Sequence, residues 1–317
     1  MLKAFILFSI KIKEVIFVSL DKKYYISGVE FLSPPLKNGL YIVATPIGNL
    51  KDISIRSLEI LSACDLILCE DTRTSAKLLN HYGIKTKKMP LHEHNEKAKI
   101  ASILNHLKEE QAIALISDAG TPLISDPGFP LVRAVQNAGL DIFSVPGASA
   151  ILAALTLSGL PTDKFSFFGF LPTKTGAKKN ELEKLKNWPQ TMVFYESPRR
   201  LLTTFKAMQN VFGDDRMAVI ALELTKKFER TMHGSIKELS IMIDNIGQIK
   251  GEAVIIVAGA DEIIIDDNIW QNKLEITLQK TSLRSAVDEI SKEFSIKRKV
   301  VYDYALEAKK AIKEAKS

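Results

Sequence analysis

From Gly39 onward short apolar runs alternate with amphipathic segments, and this alternation narrows the folds open to the chain. Residues 40–44, 65–69, 112–116 and 142–145 read as buried strands. Between them, residues 53–61, a stretch through Leu78 and Leu79, residues 97–108 and residues 129–137 carry apolar side chains at helical spacing, and Gly139 marks a helix stop. Strands separated by helices form right-handed βαβ units, which predicts a mainly parallel sheet. After Gly159-Leu-Pro161 the rhythm changes. Residues 165–170, 192–195, 217–224, 228–233 and 253–257 read as strands, with fewer helices (180–185 and 199–211) between them. That half should form a mixed sheet of different topology. Leu283, Ala286, Val287, Ile290 and Phe294 then define an amphipathic helix, followed by a second that starts at Lys297-Arg-Lys299. The expected class is α/β: two α/β domains, 38–157 and 158–265, and a small helical, helix-turn-helix-like unit at 270–317.

Residues 1–37 end in Pro34-Pro35-Leu-Lys-Asn38 and read as an N-terminal extension, either poorly ordered or derived from an upstream start codon. The apolar run at residues 4–10 is too short to span a bilayer, and no small-residue cleavage site follows it. A membrane partner is not expected. Cys64 and Cys69 fit small buried hydrophobes in a reducing cytoplasm, and no Cys/His cluster has zinc spacing, so no metal is expected. A formal net charge of +6 permits a polyanionic partner without requiring one.

Three loops follow apolar runs and hold small or hydroxylic residues: Thr45-Pro-Ile-Gly-Asn49, Asp118-Ala-Gly-Thr-Pro122 and Pro146-Gly-Ala-Ser149. In a parallel sheet these strand ends share one edge, where open α/β sheets bind ligands. Phe194-Tyr-Glu-Ser-Pro-Arg-Arg200 follows a strand of the second half, so a cleft between the halves could take a small molecule. The chain has no P-loop, no dinucleotide glycine fingerprint after a strand and no G-x-S-x-G elbow.

Together with Cys69-Glu-Asp-Thr-Arg73, Ser117-Asp-Ala-Gly-Thr-Pro-Leu-Ile-Ser-Asp-Pro-Gly128 and Glu223-Leu-Thr-Lys226, these motifs resemble the bacterial 16S rRNA ribose 2′-O-methyltransferase I family of the tetrapyrrole methylase superfamily. The resemblance covers about residues 38–317. It implies methyl transfer from S-adenosylmethionine (AdoMet) to the ribose 2′-hydroxyl of a cytidine in the decoding centre of the 30S subunit. It also implies a cytoplasmic homodimer with 16S rRNA as partner. Porphyrinoid relatives usually carry Gly-Pro-Gly-Asp-type sequence at the first strand end and Gly-Asp-Pro at the third. This chain has Thr45-Pro-Ile-Gly48 and Gly120-Thr-Pro122 there, which favours the RNA enzyme over a small-molecule methylase of the tetrapyrrole or diphthamide type. A non-catalytic RNA-binding module that kept the fold is a third reading.

By the same resemblance, Pro46, Gly120, Thr121, Ile124, Ser149, Ala150, Tyr195 and Leu222 are expected to hold AdoMet. A ribose hydroxyl is a poor nucleophile until its proton leaves, so a positioned carboxylate would help. Glu70, Asp71 and Glu196 are the candidates, with Glu70 first; Asp71 could equally cap the next helix and pair with Arg73. Arg73, Arg199 and Arg200 could pair phosphates beside the target ribose. Lys178, Lys179, Lys297, Arg298 and Lys299 are the basic candidates for RNA contact.

Overall fold

The computed structural model describes residues 22–260, 267–294 and 296–314. The chain divides into two compact units, residues 1–260 and 261–317.

The first unit begins with a hairpin, β1 (Lys23–Ile26) and β2 (Val29–Leu32), inside the segment read as an extension. This corrects the expectation of poor order for its described part; residues 1–21 lie outside the described residues. The cause is local. Ser27 and Gly28 both take positive φ (51° and 84°), the backbone of a tight two-residue hairpin turn. Tyr24 turns inward, stacks on Phe31 and is 3% exposed. Lys22 Nζ donates to the carbonyls of Ala63 and Cys64, at a helix C-terminus where a cation is favourable.

The first large sheet follows, alternating β3 (Gly39–Val43), α1 (Ile55–Ala63), β4 (Leu66–Cys69), α2 (Thr72–His81), β5 (Lys88–Pro90), α3 (Glu96–Lys108), β6 (Ala112–Ile116), α4 (Phe129–Asn137) and β7 (Ile142–Val145). Its strands run in the order β5-β4-β6-β3-β7, all parallel. All five residues of β6 are buried, because helices cover both faces. Leu58, Leu61, Leu78 and Leu79 from α1 and α2 fill one side; Ile103, Leu107, Leu131 and Val135 from α3 and α4 fill the other. The edge strand β5 carries no apolar run, which is why its periodicity was not visible.

Helix α5 (Ala150–Ser158) leads into the second sheet, built from β8 (Phe165–Phe170), α6 (Thr175–Leu185), β9 (Thr191–Glu196), α7 (Leu201–Phe212), β10 (Met217–Leu222), β11 (Arg230–Ser235), α8 (Ile236–Ile246) and β12 (Ala253–Val257). The order is β11-β10-β12-β9-β8; β8 and β9 pair parallel and the rest antiparallel, the mixed sheet expected. Helices α6 to α8 cover one face through Leu182, Phe205, Met208 and Leu239. Ile151, Ala154 and Leu155 of α5 cover the other, against Val193, Val219, Val254 and Ile256. Helix α8 is an element beyond those expected from the sequence pattern. Its signal was a capping box, Ser235 with Glu238, now formed in both directions.

The two sheets also meet through loops. Asn49 N donates to Thr225 Oγ1 at 3.0 Å. A Cβ at Gly48 would lie 2.5 Å from Lys226 Cγ and 2.9 Å from the Leu224 carbonyl. Gly48→Ala is therefore expected to destabilise the first unit by about 1–3 kcal/mol. Urea denaturation measures this, and an unchanged midpoint would contradict the close approach.

The second unit packs α9 (Asp267–Leu278), α10 (Leu283–Glu293) and α11 (Arg298–Glu314) around Trp270, Leu274, Val287, Ile290 and Val301. The predicted helix pair corresponds to α10 and α11, and α9 adds a third helix. Among the described residues no helix is long and apolar enough to cross a membrane.

Candidate active site

Parallel pairing brings the carboxyl ends of β3, β4, β6 and β7 to one edge, and the loops there are tied together. Thr45 N donates to the Gly120 carbonyl at 2.8 Å, and Gly120 N returns a bond to the Thr45 carbonyl at 3.0 Å. Thr121 Oγ1 donates to the Ala148 carbonyl at 3.3 Å, fastening the loop after β6 to the loop after β7. Gly120 sits at φ 78°, where a side chain is strained. Leu123 and Ser125 also hold left-handed backbone (φ 73° and 66°), a costly conformation that concentrates at functional sites.

This edge faces β9 and β12 across a cavity of about 340 Å3. One wall is Gly120, Thr121, Ile124 and Asp126; Ser149 and Ala150 add the N-terminus of α5. Phe170, Tyr195, Glu196 and Ser197 form the opposite wall, and Gly251 to Val254 close it. The lining is largely apolar with a few polar groups, the character of small-molecule sites.

Its charge is acidic. Burial, reinforced by Glu70 and Asp118, pushes the Asp126 carboxyl up to about 6 against a hydrogen bond from Ser117 that opposes the shift. Burial and the nearby carboxylates of Asp126 and Glu252 push the Tyr195 hydroxyl up to about 12. Glu70 and Asp118 are both held above the ordinary carboxylate range, first by burial and then by mutual repulsion among neighbouring acids.

Six of the eight residues expected at a cofactor line this cavity: Gly120, Thr121, Ile124, Ser149, Ala150 and Tyr195. Pro46 and Leu222 do not. Pro46 is buried outside the lining. Leu222, 1% exposed, points into the core beneath α7 and α8, while its strand partner Ala253 reaches the cavity.

Of the acid candidates, Glu70 sits outside the lining but within electrostatic reach of Asp118 and Asp126. Asp71 caps α2, accepting from Arg73 N at 2.8 Å and pairing with Arg73 Nη2 at 3.0 Å. The structural role weighed for this pair is thus the one observed. Glu196 lines the cavity, yet both its oxygens are engaged. Oε1 accepts from Ser197 N at 2.8 Å and Arg200 Nε at 2.6 Å; Oε2 accepts from Thr204 Oγ1 at 2.6 Å.

Two basic candidates need correction. Lys178 lies within α6, only 4% exposed, and donates to Thr204 Oγ1 at 2.7 Å. Sequence spacing had put it on a solvated basic stretch, but α6 starts earlier than its apolar pattern showed and turns this lysine inward. Arg200 is likewise committed to Glu196. Lys179 and Arg199 are exposed. In the second unit Lys297, Arg298 and Lys299 are exposed, and Arg298 Nε donates to Asp288 Oδ1 at 2.7 Å.

Asp126, Phe170 and residues 251–254 line the cavity without being among the expected site residues. Asp126 lay within a quoted motif, where Asp-Pro-Gly read only as a turn. The other lining residues carry no motif at all.

Residues 39–240 match the family model described as tetrapyrrole (corrin/porphyrin) methylases. The chain is 44% identical over 271 residues to ribosomal RNA small subunit methyltransferase I of Haemophilus influenzae, covering 84% of this chain and 96% of that protein. It is 42% identical over 273 residues to the protein of the same name from Escherichia coli O157:H7, covering 84% and 94%. Among solved structures, a cobalt precorrin-4 methyltransferase of cobalamin biosynthesis aligns with a TM-score of 0.53 at 19% identity, over 69% of this chain and 94% of that one. Uroporphyrin-III C-methyl transferase from Thermus thermophilus, complexed with S-adenyl homocysteine, aligns with a TM-score of 0.51 at 18% identity, over 69% and 97%. At those identities the structures establish a shared fold.

Proposed function

The chain belongs to the ribosomal RNA small subunit methyltransferase I family, and on that premise we propose that it transfers a methyl group from AdoMet to the ribose 2′-hydroxyl of a cytidine in the decoding centre of 16S rRNA. The observation that carries this reading is the cavity between the strand-end loops and β9–β12, with its apolar walls and acidic side. Its residues fit AdoMet: a glycine backbone that a ligand can approach, hydroxyls at Thr121 and Ser149, and carboxylates that complement a positive sulfur. A volume of about 340 Å3 lies within the range of about 300–1,000 Å3 usual for such ligands. Gly120, Thr121, Ile124, Ser149, Ala150 and Tyr195 would hold it, with Pro46 and Leu222 supporting the wall from behind.

Bound there, AdoMet supplies an electrophilic methyl group on a cationic sulfur. The chain's own work is to align, to desolvate and to accept a proton. Ile124, Phe170 and Val254 give the lining its apolar surface, which would displace water once donor and acceptor are seated. Alignment of hydroxyl and methyl carbon supplies much of the rate in an in-line displacement. Asp126 accepts the hydroxyl proton in this proposal, because it is the half-buried carboxylate on the cavity wall whose oxygens are not both tied up. A carboxyl near 6 is deprotonated at neutral pH and a stronger base than an ordinary aspartate. Glu70 becomes a neighbour that helps set that value. Arg73, Arg199, Lys179, Lys297, Arg298 and Lys299 remain proposed RNA contacts; a homodimer acting in the cytoplasm completes the reading.

A pH dependence follows. The Asp126 carboxyl rises from an ordinary 3.8 to about 6 in the fold, so between those values the folded chain keeps a proton that the unfolded chain has released. The native state gains stability as pH falls through that window, while the cavity loses a negative charge. Affinity for AdoMet should weaken by about tenfold or less between pH 7.5 and 5, and affinity for the uncharged sulfide S-adenosylhomocysteine should change less. Calorimetric titration of both at each pH measures the difference; parallel changes would contradict an acidic sulfonium site.

The direct assay incubates the protein with radiolabelled AdoMet and 30S subunits from cells lacking the gene. Label in 16S rRNA is expected. Label transferred only to uroporphyrinogen, or RNA binding without transfer, would favour the competing readings.

A further inference from the structure

A second, smaller cavity adjoins the first. It measures about 260 Å3 and shares Ser197, Pro198 and Gly251 with the main site, so it opens next to the wall formed by the end of β9. Arg199 from just past the end of β9 and Gln248 and Lys250 from the loop before β12 all line it. Both cations are exposed, and among the described residues neither has an ion-pair partner. Of the carboxylates nearby, Asp244 lines a neighbouring recess that Arg199 also borders, while Glu223 and Glu252, beside Gly251, are both paired with Lys226.

The placement of these charges is built by the chain. Arg199 and Arg200 are adjacent in sequence, yet they do different work. Arg200 pairs with the buried Glu196, which fixes the short 3-10 turn Pro198–Arg200 and leaves Arg199 directed at the recess. Lys250 rides on a loop bounded by Gly247 and Gly251, both at positive φ (74° and 97°). The far end of that loop is pinned where Glu252 N donates to Glu223 Oε1 at 2.9 Å.

We propose that Arg199 and Lys250 form a phosphate subsite that grips the RNA backbone beside the ribose being methylated. This rests on the RNA-methylating reading given above. AdoMet carries no phosphate, so a pair of free cations beside its cavity serves the acceptor. A guanidinium can take a phosphate through two parallel hydrogen bonds, and the lysine adds a mobile point charge. The anion sits one wall away from the reacting centre, which orients the ribose as well as binding it.

The test uses the full-length protein, AdoMet and 30S subunits isolated without this methylation. Arg199→Ala and Lys250→Ala should each raise KM for the subunit about tenfold, the size expected for losing one charged hydrogen bond. The Kd for AdoMet should hold, and the slope of log affinity against log salt should fall by about one per residue removed. Lys250→Arg should restore much of the loss. Lys108→Ala, which removes an exposed lysine from the last turn of α3, serves as the control for overall charge. Unchanged KM and salt slope in Arg199→Ala and Lys250→Ala, with the parent protein active on 30S subunits, would overturn the subsite alone. An equal loss in Lys108→Ala, or weakened AdoMet binding without a change in KM, would also overturn it. If the parent protein transfers no methyl group to rRNA, the functional reading fails, and the subsite with it.

Discussion

Asp126→Asn is expected to slow methyl transfer at saturating AdoMet and 30S subunits by about 10²–10⁴-fold at pH 7.5, the usual contribution of a positioned proton acceptor. The substitution keeps the shape of the cavity wall and removes its base. Glu70→Gln provides the contrast, because Glu70 lies outside the cavity lining. It should cost only a few-fold, by letting the Asp126 carboxyl drift back toward the ordinary range. Single-turnover rates across pH separate the two. The parent protein should lose rate as pH falls through about 6, the folded value for Asp126. Asp126→Asn should lose that inflection altogether. A full rate in Asp126→Asn, with a collapsed rate in Glu70→Gln, would return the proton to Glu70.

The second large effect concerns stability. Glu196→Ala should destabilise the first unit by about 3–5 kcal/mol, because it strips the partner from buried charges. The Glu196 side chain is 1% exposed and satisfies Arg200, the Ser197 amide and Thr204, whose hydroxyl also accepts from the buried Lys178. Removing it leaves Lys178 and Arg200 uncompensated, where removing both partners of a pair can be almost neutral. Glu196→Gln keeps the amide and hydroxyl contacts and should cost less. Urea denaturation followed by circular dichroism gives both numbers. A loss below about 1 kcal/mol in Glu196→Ala would mean that water reaches the network and screens it.

The fold was readable where burial is complete and regular. The runs at 40–44 and 112–116 announce buried parallel strands, because helices on both faces leave no polar side to alternate with. The hairpin at β1–β2 was less visible, since each strand has only four residues and the Ser27-Gly28 turn is a weak signal beside Asn-Gly. Strand β5 and helix α8 escaped for related reasons: one lacks an apolar run, and the other announces itself through its cap.

The site was half legible. Loops at parallel strand ends can be placed from sequence because the sheet edge collects them, and six of the eight expected cofactor contacts do line the cavity. Side-chain roles were harder. Lys178 and Arg200 look like any surface cations in the sequence, yet Arg200 pairs with the buried Glu196 and Lys178 donates to Thr204, which donates to the same carboxylate. Asp126 reads as a turn residue, and only its partial burial and its closeness to other acids mark it out. Ala253 and Val254 reach the cavity through antiparallel pairing of β12 with β9 and β10, a long-range contact that no local pattern encodes.

What this chain does to ribosomal RNA decides its function. Mass mapping of 16S rRNA from cells with and without the gene should reveal one 2′-O-methylcytidine in the decoding centre that disappears when the gene is deleted and returns with the intact gene. Supplying the Asp126→Asn variant instead should leave that cytidine largely unmethylated. An identical methylation map in both strains would contradict the proposed function.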